Sequence, residues 1–584
     1  MNKDALIEEV KQLMEDEKYE EAYSIVLKLA EEGDLDAQET LGDMYFDGQG
    51  VDQDLSKAME WLEKAALGGN PDAQWKLGTF YEFGRVSDPD YEKAMEWYTK
   101  SAEADNPTGQ EKVADMYFHG RGVDKDDEKA MEWLEKAAAQ ENPDAQFKLG
   151  TFYQYGRVVE KDIEKAIELY EKAADQGSNE AQDMLGNLYR FGDGVDQDFA
   201  KAVEWYTKAA ENGNTDAMTR LGKLYSNEEG MEQDLDESFK WYSKAAEAGD
   251  PVGQYSVGVI YENGDGVEKD QSKAVEWYRK AAEQDHPDAQ KALAYAYLFG
   301  EGVSEDPAKG VEWAKKAVNQ DDAEAQWLLG NCYENGNGIE KDYAKALGWY
   351  LSAAEQGFPG AENSLGDMYR TGAGVDQNYA AAFAWYQKAA EQDDDEAQAS
   401  LGWMYSNGYS VEKDFPKAFE WYMKAAEAGN PTGEYSVGAM YECGAGVEED
   451  LSKAMEWYQK AAGQNYPDAQ TSIGDLYLFG KGVEQDDEKA REWFEKAVAQ
   501  DDMNAKWRLG ILYENGFGVE KDEEKAAAFY KEAADSDNPG GQYHLGMLYK
   551  DGLGVPKDLD KARELFQKAV DNGHKAAAEE LKNL

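Results

Sequence analysis

Apolar positions in this chain follow a helical period, and the pattern as a whole returns every 36 residues. In residues 71–82, Ala73, Leu77 and Tyr81 recur four residues apart, which places them on one face of a helix. A second set of apolar residues with the same period lies in KAMEWLEKAA at residues 57–66, and it places Trp61 on the inner face of a second helix. Each 36-residue repeat is therefore predicted to be a pair of helices that pack together.

One glycine in the first predicted helix marks the register of the repeats. It follows an apolar residue, and a tyrosine stands three residues after it in every repeat. Positions are numbered from this mark, with Gly42 in repeat 1 and Gly546 in repeat 15. Glycine costs a helix roughly 1 kcal/mol relative to alanine, so we expect it to permit close packing of a neighbouring helix. The marks are Gly42, Gly78, Ala114, Gly150, Gly186, Gly222, Gly258, Ala294, Gly330, Gly366, Gly402, Gly438, Gly474, Gly510 and Gly546.

Capping residues indicate where the helices begin and end. Asn70 and Pro71 suit the N-cap and the first position of a helix. An aspartate stands twelve residues after the mark in all repeats but one, where Asn378 replaces it, and we expect it to cap the second helix. The GxGV stretches supply glycine where the first helix ends in a left-handed conformation.

The repeated strings resemble Sel1-like repeats. The resemblance is carried by LGDMYRTGAGVDQNYAAAFAWYQKAAEQ at residues 365–392 and by LGNLYRFGDGVDQDFAKAVEWYTKAAENG in repeat 5, and it covers nearly the whole chain. It implies an all-α fold, a right-handed superhelical α-solenoid of about fifteen 36-residue helix-turn-helix repeats related to tetratricopeptide repeats. It also implies an adaptor or scaffold that holds partners on a concave surface, without shared catalytic residues. The chain departs from the cysteine-rich branch of the family, since it has only Cys332 and Cys443.

The pattern divides the chain into three parts. Residues 1–33 lack the glycine mark but keep apolar stripes, which predicts an N-terminal capping pair of helices. Residues 34–573 are predicted to hold the fifteen tandem repeats. Residues 574–584 are predicted to form a single C-terminal capping helix.

The net charge and the lack of long apolar segments limit the kinds of partner and the compartment that we expect for this protein. The formal net charge of −61 argues against binding nucleic acid or anionic membranes, because both require a basic face. The stretch MNKDALIEEVKQL lacks the apolar core of a signal peptide, and no run of 18 apolar residues predicts a membrane span. We therefore expect a cytoplasmic monomer.

Candidate catalytic residues are sparse. The four histidines lie far apart and match no metal-ligand spacing, and the GxGV stretches lack the remaining residues of a phosphate-binding loop. Cys332 stands at a core position, which favours a buried free thiol. We expect no enzyme activity, no metal and no cofactor. The histidines are His119, His286, His544 and His574.

A partner-binding surface should vary between repeats while the core stays constant. By analogy with tetratricopeptide arrays, we expect the concave face to come from the first helix, at positions −6, −3, +1 and +4. Position −3 is acidic in some repeats, as at Glu39 and Glu111, but aromatic in seven others. The aromatic residues are the predicted groove: Trp75, Phe147, Tyr255, Trp327, Tyr435, Trp507 and Tyr543.

Position −6 places acidic residues one turn before several of these rings. Asp72, Asp144 and Glu324 are included in the predicted groove, although acids in a first turn also favour the helix dipole. Aromatic anchors beside acids favour a basic or repetitive partner segment, with cation–π contacts of about 0.5–2 kcal/mol each. The predicted function is a non-catalytic scaffold that binds a partner protein or peptide. The alternative is an acidic decoy or chaperone-like holder that sequesters basic proteins by charge.

The variable positions also follow a longer period of 180 residues, or five repeats. Trp327 and Trp507 stand 180 residues apart. Position +4 keeps the same interval at Glu82, Glu262 and Glu442. Duplication of a five-repeat block explains this period, and a repetitive partner bound at several places explains it as well. The sequence leaves both explanations open.

Repeat 6 departs most from the others. Glu228 replaces the glycine six residues after the mark, and Ser238 replaces an alanine. Residues 221–240 are therefore predicted to open locally before the adjacent repeats.

Overall fold

The chain folds as an array of short helices joined by tight turns. The computed structural model describes residues 3–226 and 231–584, and all regular structure within these ranges is helical. The chain divides into two compact halves, an N-terminal half (1–286) with repeats 1–7 and a C-terminal half (287–584) with repeats 8–15. The helices of the N-terminal half are α1 (Lys3–Glu15), α2 (Tyr19–Glu31), α3 (Leu35–Asp47), α4 (Leu55–Gly68), α5 (Pro71–Glu82), α6 (Tyr91–Glu103), α7 (Pro107–His119), α8 (Asp127–Ala139), α9 (Pro143–Tyr155), α10 (Ile163–Asp175), α11 (Asn179–Phe191), α12 (Phe199–Glu211), α13 (Thr215–Tyr225), α14 (Leu235–Glu247), α15 (Pro251–Asn263) and α16 (Gln271–Ala282).

The C-terminal half continues the same order. Across the described residues, odd-numbered helices from α3 to α31 are the first helices of repeats 1–15, and even-numbered helices from α4 to α32 are the second. The predicted all-α repeat array is thereby confirmed. The remaining helices are α17 (Pro287–Phe299), α18 (Pro307–Val318), α19 (Ala323–Asn335), α20 (Tyr343–Glu355), α21 (Pro359–Thr371), α22 (Tyr379–Ala390), α23 (Asp395–Asn407), α24 (Phe415–Glu427), α25 (Pro431–Cys443), α26 (Leu451–Gly463), α27 (Pro467–Phe479), α28 (Asp487–Val498), α29 (Met503–Asn515), α30 (Glu523–Asp535), α31 (Pro539–Asp551), α32 (Leu559–Asp571) and α33 (Ala577–Asn583).

Capping residues set the helix boundaries as the sequence predicts. The side-chain oxygen of Asn70 accepts a hydrogen bond from the Ala73 amide at 2.8 Å, and Pro71 stands in the first turn of α5. Asp54 accepts from the Lys57 amide at 3.0 Å. Equivalent residues at position +12 cap the second helix of every repeat.

The glycine mark packs against the aromatic ring at position +20 of its own repeat, except in repeat 1, where Leu62 takes the place of the ring. A Cβ atom added to Gly78 would lie 2.6 Å from the ring of Tyr98, so the ring would have to move. The two alanine marks, Ala114 and Ala294, occur in repeats whose +20 residue is not aromatic. The expected close approach of the two helices is confirmed.

The core extends along each half, with no single centre. Most alanines on the inner side of the second helices and the tyrosines at position +20 are buried, and Tyr98 and Tyr350 are fully buried. Cys332 is buried among them, and burial raises the pKa of its thiol to about 11, which confirms the predicted buried thiol. Each repeat mainly contacts its neighbours, as expected of a repeat array.

Three helices lie outside the regular repeat pattern. Helices α1 and α2 precede repeat 1 and α33 follows repeat 15, and their capping role stays a prediction. In repeat 6, residues 227–230 lie outside the described residues. Ser238 is buried there and donates a hydrogen bond to the Gly222 carbonyl at 2.8 Å, so its hydroxyl is satisfied. The early opening of residues 221–240 stays a prediction.

Candidate partner-binding face

Each half presents a partly exposed surface made by its first helices. We call it the first-helix face, and it consists of positions −6, −3, −2 and +1 of these helices. Neighbouring repeats contact each other across it. Lys76 at −2 reaches back to Glu39 at −3 and to Asp43 at +1, the latter at 2.5 Å. Lys148 repeats this arrangement in repeats 3 and 4, so these acids at position −3 are neutralised by the next repeat.

The seven predicted groove aromatics are half-buried. The ring centre of Phe147 lies 5.5 Å from that of Tyr170, and the ring centre of Tyr255 lies 5.6 Å from that of Tyr278. In both cases the partner ring belongs to position +20 of the same repeat. Each groove aromatic therefore combines a packed side with a partly exposed side.

Four of the seven rings also pack on an aromatic residue at position −8 of the next repeat or, for Tyr543 in repeat 15, at the equivalent position of the segment that follows. Tyr543 and His574 have ring centres 4.3 Å apart and an interplanar angle of 20°. Trp327 packs on Phe358 at 5.7 Å, and its indole nitrogen donates to the Ser364 hydroxyl at 3.0 Å. These contacts join neighbouring repeats, so packing explains part of the aromatic pattern. The other two pairs are Tyr255 with His286 and Tyr435 with Tyr466.

The other three rings precede a polar residue at position −8. Trp507 is nevertheless covered, because Arg508 lies 3.6 Å from its ring centre and His544 stacks on it at 5.6 Å. Among the residues that the structure describes, no ring of the following repeat packs on Trp75 or Phe147. Within the described residues, these two are therefore the groove aromatics on which no ring of the following repeat stacks.

The three acids assigned to the groove differ in what they contact. Asp72 accepts a hydrogen bond from the side chain of Asn106 in the next repeat at 2.9 Å. Glu324 pairs with Lys291 of the preceding repeat at 3.1 Å. Asp144 is exposed and contacts no donor within the described ranges. Two of the three acids thus link repeats, and Asp144 faces solvent.

Position +4 was expected on the partner-binding face, and that expectation is wrong where the residue is buried. Glu82 is 8 % exposed and accepts a hydrogen bond from the hydroxyl of Tyr98 at 2.7 Å. Its other oxygen accepts from Arg121 at 3.0 Å. Burial, followed by the nearby carboxylate, raises the pKa of Tyr98, so the hydroxyl keeps its proton. Equivalent bonds are Tyr170 to Gln154, Tyr278 to Glu262, Tyr350 to Glu334, Tyr458 to Glu442 and Tyr530 to Glu514.

Repeats without a hydroxyl at position +20 have no acid at position +4. In repeat 13, Phe494 is buried in one cluster with Leu478. The recurrence of glutamate at +4 therefore follows the buried tyrosines and needs no partner to explain it. The other such combinations are Leu62 with Phe46, Leu134 with Phe118, Ala314 with Leu298 and Phe566 with Lys550.

The sequence analysis missed the most exposed aromatic side chains, which stand at position +5. Phe83 is 56 % exposed and Tyr155 is 60 % exposed. Eight repeats carry asparagine, aspartate or threonine here, which indicates that the end of the helix needs no apolar side chain. Packing of the helix therefore does not explain an aromatic residue at position +5. The remaining members are Phe191, Phe299 and Phe479.

The histidines contribute aromatic contacts. His544 stacks on Tyr530 with ring centres 5.0 Å apart. Within residues 3–226 and 231–584, no group of three or more histidine, cysteine or acidic side chains is placed to hold a metal ion. Over the same residues, every helix is too short or too polar to cross a membrane.

The Sel1 repeat family model matches the chain fifteen times. The matches begin at residue 35 and end at residue 574, and consecutive matches adjoin except at residue 503. The chain belongs to the Sel1 repeat family. The resemblance seen in the repeated strings is thereby confirmed.

Two solved structures are similar to this chain. The Sel1 chain is 35 % identical to c5321, described as a protective antigen of uropathogenic Escherichia coli strains displaying an SLR fold. The match covers 78 % of this chain and 97 % of c5321, with a TM-score of 0.58. A Sel1 repeat protein from Oxalobacter formigenes is 34 % identical over 53 % of this chain and 90 % of its own, with a TM-score of 0.44. No curated protein matches this chain.

Family membership gives the general class of function. Sel1 repeat proteins are generally non-catalytic scaffolds that bind protein partners.

Proposed function

We propose that this Sel1 repeat protein is a non-catalytic scaffold that binds a segment of a partner protein on its first-helix face. The observation that carries the proposal is the partial exposure of the position −3 rings, above all Trp75 and Phe147 in the N-terminal half. Rigid aromatic side chains supply much of the binding energy at protein interfaces. The exposed carboxylate of Asp144, one turn before Phe147, favours a basic partner residue over the ring.

The remaining aromatic positions are proposed as weaker contacts. One side of each ring is already occupied by the next repeat, so less surface is left for a partner. These residues are Tyr255 in the N-terminal half and Trp327, Tyr435, Trp507 and Tyr543 in the C-terminal half.

Capture experiments test the proposal. The wild-type chain and the variant Trp75→Ala/Phe147→Ala are immobilised, incubated with lysate of the source organism and washed at low and high salt. We expect a partner that wild type retains at high salt and the variant loses. The control is Leu67→Ala/Leu559→Ala, which removes exposed apolar side chains from second helices. Equal retention by all three chains would rule out the first-helix face.

A second candidate function is the sequestration of basic proteins by charge. The chain has 121 acidic and 60 basic side chains, and many of its lysines lie over aromatic rings of the chain itself. Lys100 lies 3.8 Å from the ring centre of Trp97, and Lys93 lies 5.2 Å from that of Tyr81. Charge-only binding should collapse between low and high ionic strength, whereas aromatic contacts should persist.

A further inference from the structure

Repeats 1–2 and repeats 3–4 form a duplicated pair in the N-terminal half. The stretch NPDAQWKLGTFYEFGRV begins at Asn70, and NPDAQFKLGTFYQYGRV begins at Asn142. The duplication extends to contacts, because the ion pairs of Lys76 recur at Lys148. We call the two equivalent surfaces stations. Station 1 consists of Phe46, Leu62, Trp75, Phe83 and Arg85, and station 2 of Phe118, Leu134, Phe147, Tyr155 and Arg157.

Each station carries an arginine that stacks on an aromatic ring and is not neutralised. The Arg85 guanidinium lies 5.9 Å from the ring centre of Phe46, and that of Arg157 lies 5.1 Å from the ring centre of Phe118. Among the described residues, no carboxylate lies within ion-pair distance of either arginine. By contrast, six arginines elsewhere are ion-paired: Arg121, Arg220, Arg370, Arg491, Arg508 and Arg563.

Station 1 holds an apolar pocket beside its arginine. The pocket has a volume of about 180 Å³, and Leu62 stands in it where most repeats carry a larger tyrosine. An engineered apolar cavity of about 150 Å³ binds benzene, so this pocket suits one large apolar side chain. The other cation in the pocket, Lys76, is already paired with Asp43. The apolar lining is Phe46, Leu62, Trp75 and Phe80, with Arg85 beside it.

Exposed apolar side chains flank both arginines. Phe83 and Val86 are exposed beside Arg85, and Tyr155 and Val158 are exposed beside Arg157. Val158 has φ of 64°, in the left-handed region that a β-branched residue rarely occupies. Most other repeats place glycine at this position. A strained, half-exposed valine gains little from packing, which favours a role in binding.

We propose that the two stations bind a partner segment in which a large apolar side chain lies next to a carboxylate. At station 1 the apolar side chain enters the pocket, at station 2 it packs on the equivalent side chains, and at both the carboxylate pairs with the arginine. The contact with the ring holds the guanidinium in place. Its N–H groups can then donate two parallel hydrogen bonds to a carboxylate of the partner. The complementary charge argues for this occupant, because each arginine is a cation without a counter-ion in an acidic chain.

Two equivalent stations favour a partner with two such elements. Once the first element is bound, the second binds at a high effective concentration if the linker between the elements spans the stations. This inference rests on the proposed scaffold function. At the two stations it predicts an acidic residue in the partner, whereas the acids of position −6 favour a basic one.

The test uses a random dodecapeptide display library selected on the immobilised full-length chain. We expect enriched peptides to place aspartate or glutamate beside a large apolar residue. Their affinity should fall about tenfold in Arg85→Gln or Arg157→Gln when binding uses that station, since a charge-assisted hydrogen bond contributes about one factor of ten or more. For a peptide with two elements, the double variant should lose about a hundredfold.

Matched variants separate binding from folding. Arg491→Gln/Arg563→Gln removes two ion-paired arginines of second helices outside the stations and should leave peptide affinity unchanged. Thermal unfolding establishes that each variant folds. Arg85→Lys keeps the charge without the planar fork and should restore part of the affinity.

The outcomes distinguish the stations from the scaffold function. Enriched peptides that are basic, or that bind the double arginine variant as tightly as wild type, would overturn the inference. If those peptides are lost in Trp75→Ala/Phe147→Ala, the scaffold proposal stands without the stations. If selection enriches no peptide, both proposals are contradicted.

Discussion

Tyr98 donates a hydrogen bond to the buried carboxylate of Glu82 at 2.7 Å, joining positions +20 and +4 within repeat 2. In repeat 13 the same two positions hold Phe494 and Leu478. A buried carboxylate is tolerated only with partners, and a buried hydroxyl needs an acceptor. The two positions therefore change together between repeats.

Tyr98→Phe should destabilise repeat 2 by about 1–3 kcal/mol, because it removes a donor from a buried acid. We expect faster hydrogen–deuterium exchange in residues 71–103 and a lower urea midpoint. Adding Glu82→Leu reproduces the apolar pair of Leu478 and Phe494 and should recover most of the loss. A double variant less stable than either single variant would refute the coupling.

Trp327→Ala should cost more stability than Trp75→Ala. The first change removes the contact with Phe358 and the hydrogen bond to Ser364, whereas the second removes no ring contact with the next repeat. We expect about 2–3 kcal/mol against about 1 kcal/mol, below the value for a fully buried tryptophan. Hydrogen exchange in α21 and α7 measures the two effects. Equal losses would show that the stacking between repeats contributes nothing.

Repeat 15 should lose stability below pH 6.5. Burial, followed by the charges of His574 and Arg508, lowers the pKa of His544 from 6.5 to about 4. Folding therefore favours neutral His544, so stability is complete above pH 6.5 and falls as the pH drops towards 4. The loss should reach on the order of 2 kcal/mol, since each pKa unit corresponds to about 1.4 kcal/mol and Glu514 at 3.8 Å offsets part of it.

The measurement is hydrogen exchange of residues 539–571 between pH 4 and pH 7, corrected for the intrinsic exchange rate. His544→Gln should reduce this pH dependence while leaving that of other repeats unchanged, and the remainder comes from His574, whose pKa burial also lowers. A wild-type repeat 15 that is equally protected at both ends of the range would contradict the prediction.

Val158→Gly should stabilise the protein while weakening station 2. Glycine adopts φ of 64° without strain, so we expect a gain of up to about 1 kcal/mol, seen as a higher melting temperature. Val86 lies outside the left-handed region, so Val86→Gly should lower stability slightly. A lower melting temperature in both variants would show that Val158 is not strained.

Residues 221–240 should exchange faster than the same positions of repeats 5 and 7. The C-cap residue of α13 is Ser226, in a right-handed conformation, whereas α11 is capped by the left-handed Gly192. Loss of such a cap weakens the end of a helix. Exchange no faster than in the neighbouring repeats would disprove the prediction.

Much of the architecture could be predicted because it depends on residues close together in the chain. The caps at Asn70 and Asp54 act within one helical turn, and the helical stripes need only one helix. Fifteen repetitions make each of these local signals unambiguous. The candidate site was less predictable, because exposure depends on what the next repeat places over each side chain.

The sequence by itself determined the number of repeats, their paired helices and their boundaries, since these follow from local periodicity and capping. Only the tertiary structure decided which similar residues remain accessible. Tyr255 and Phe147 occupy the same position, yet His286 stacks on Tyr255 while no ring of the next repeat covers Phe147 within the described residues. The physical reason is that a helical period describes one helix face, whereas burial also depends on the side chains of a neighbouring repeat.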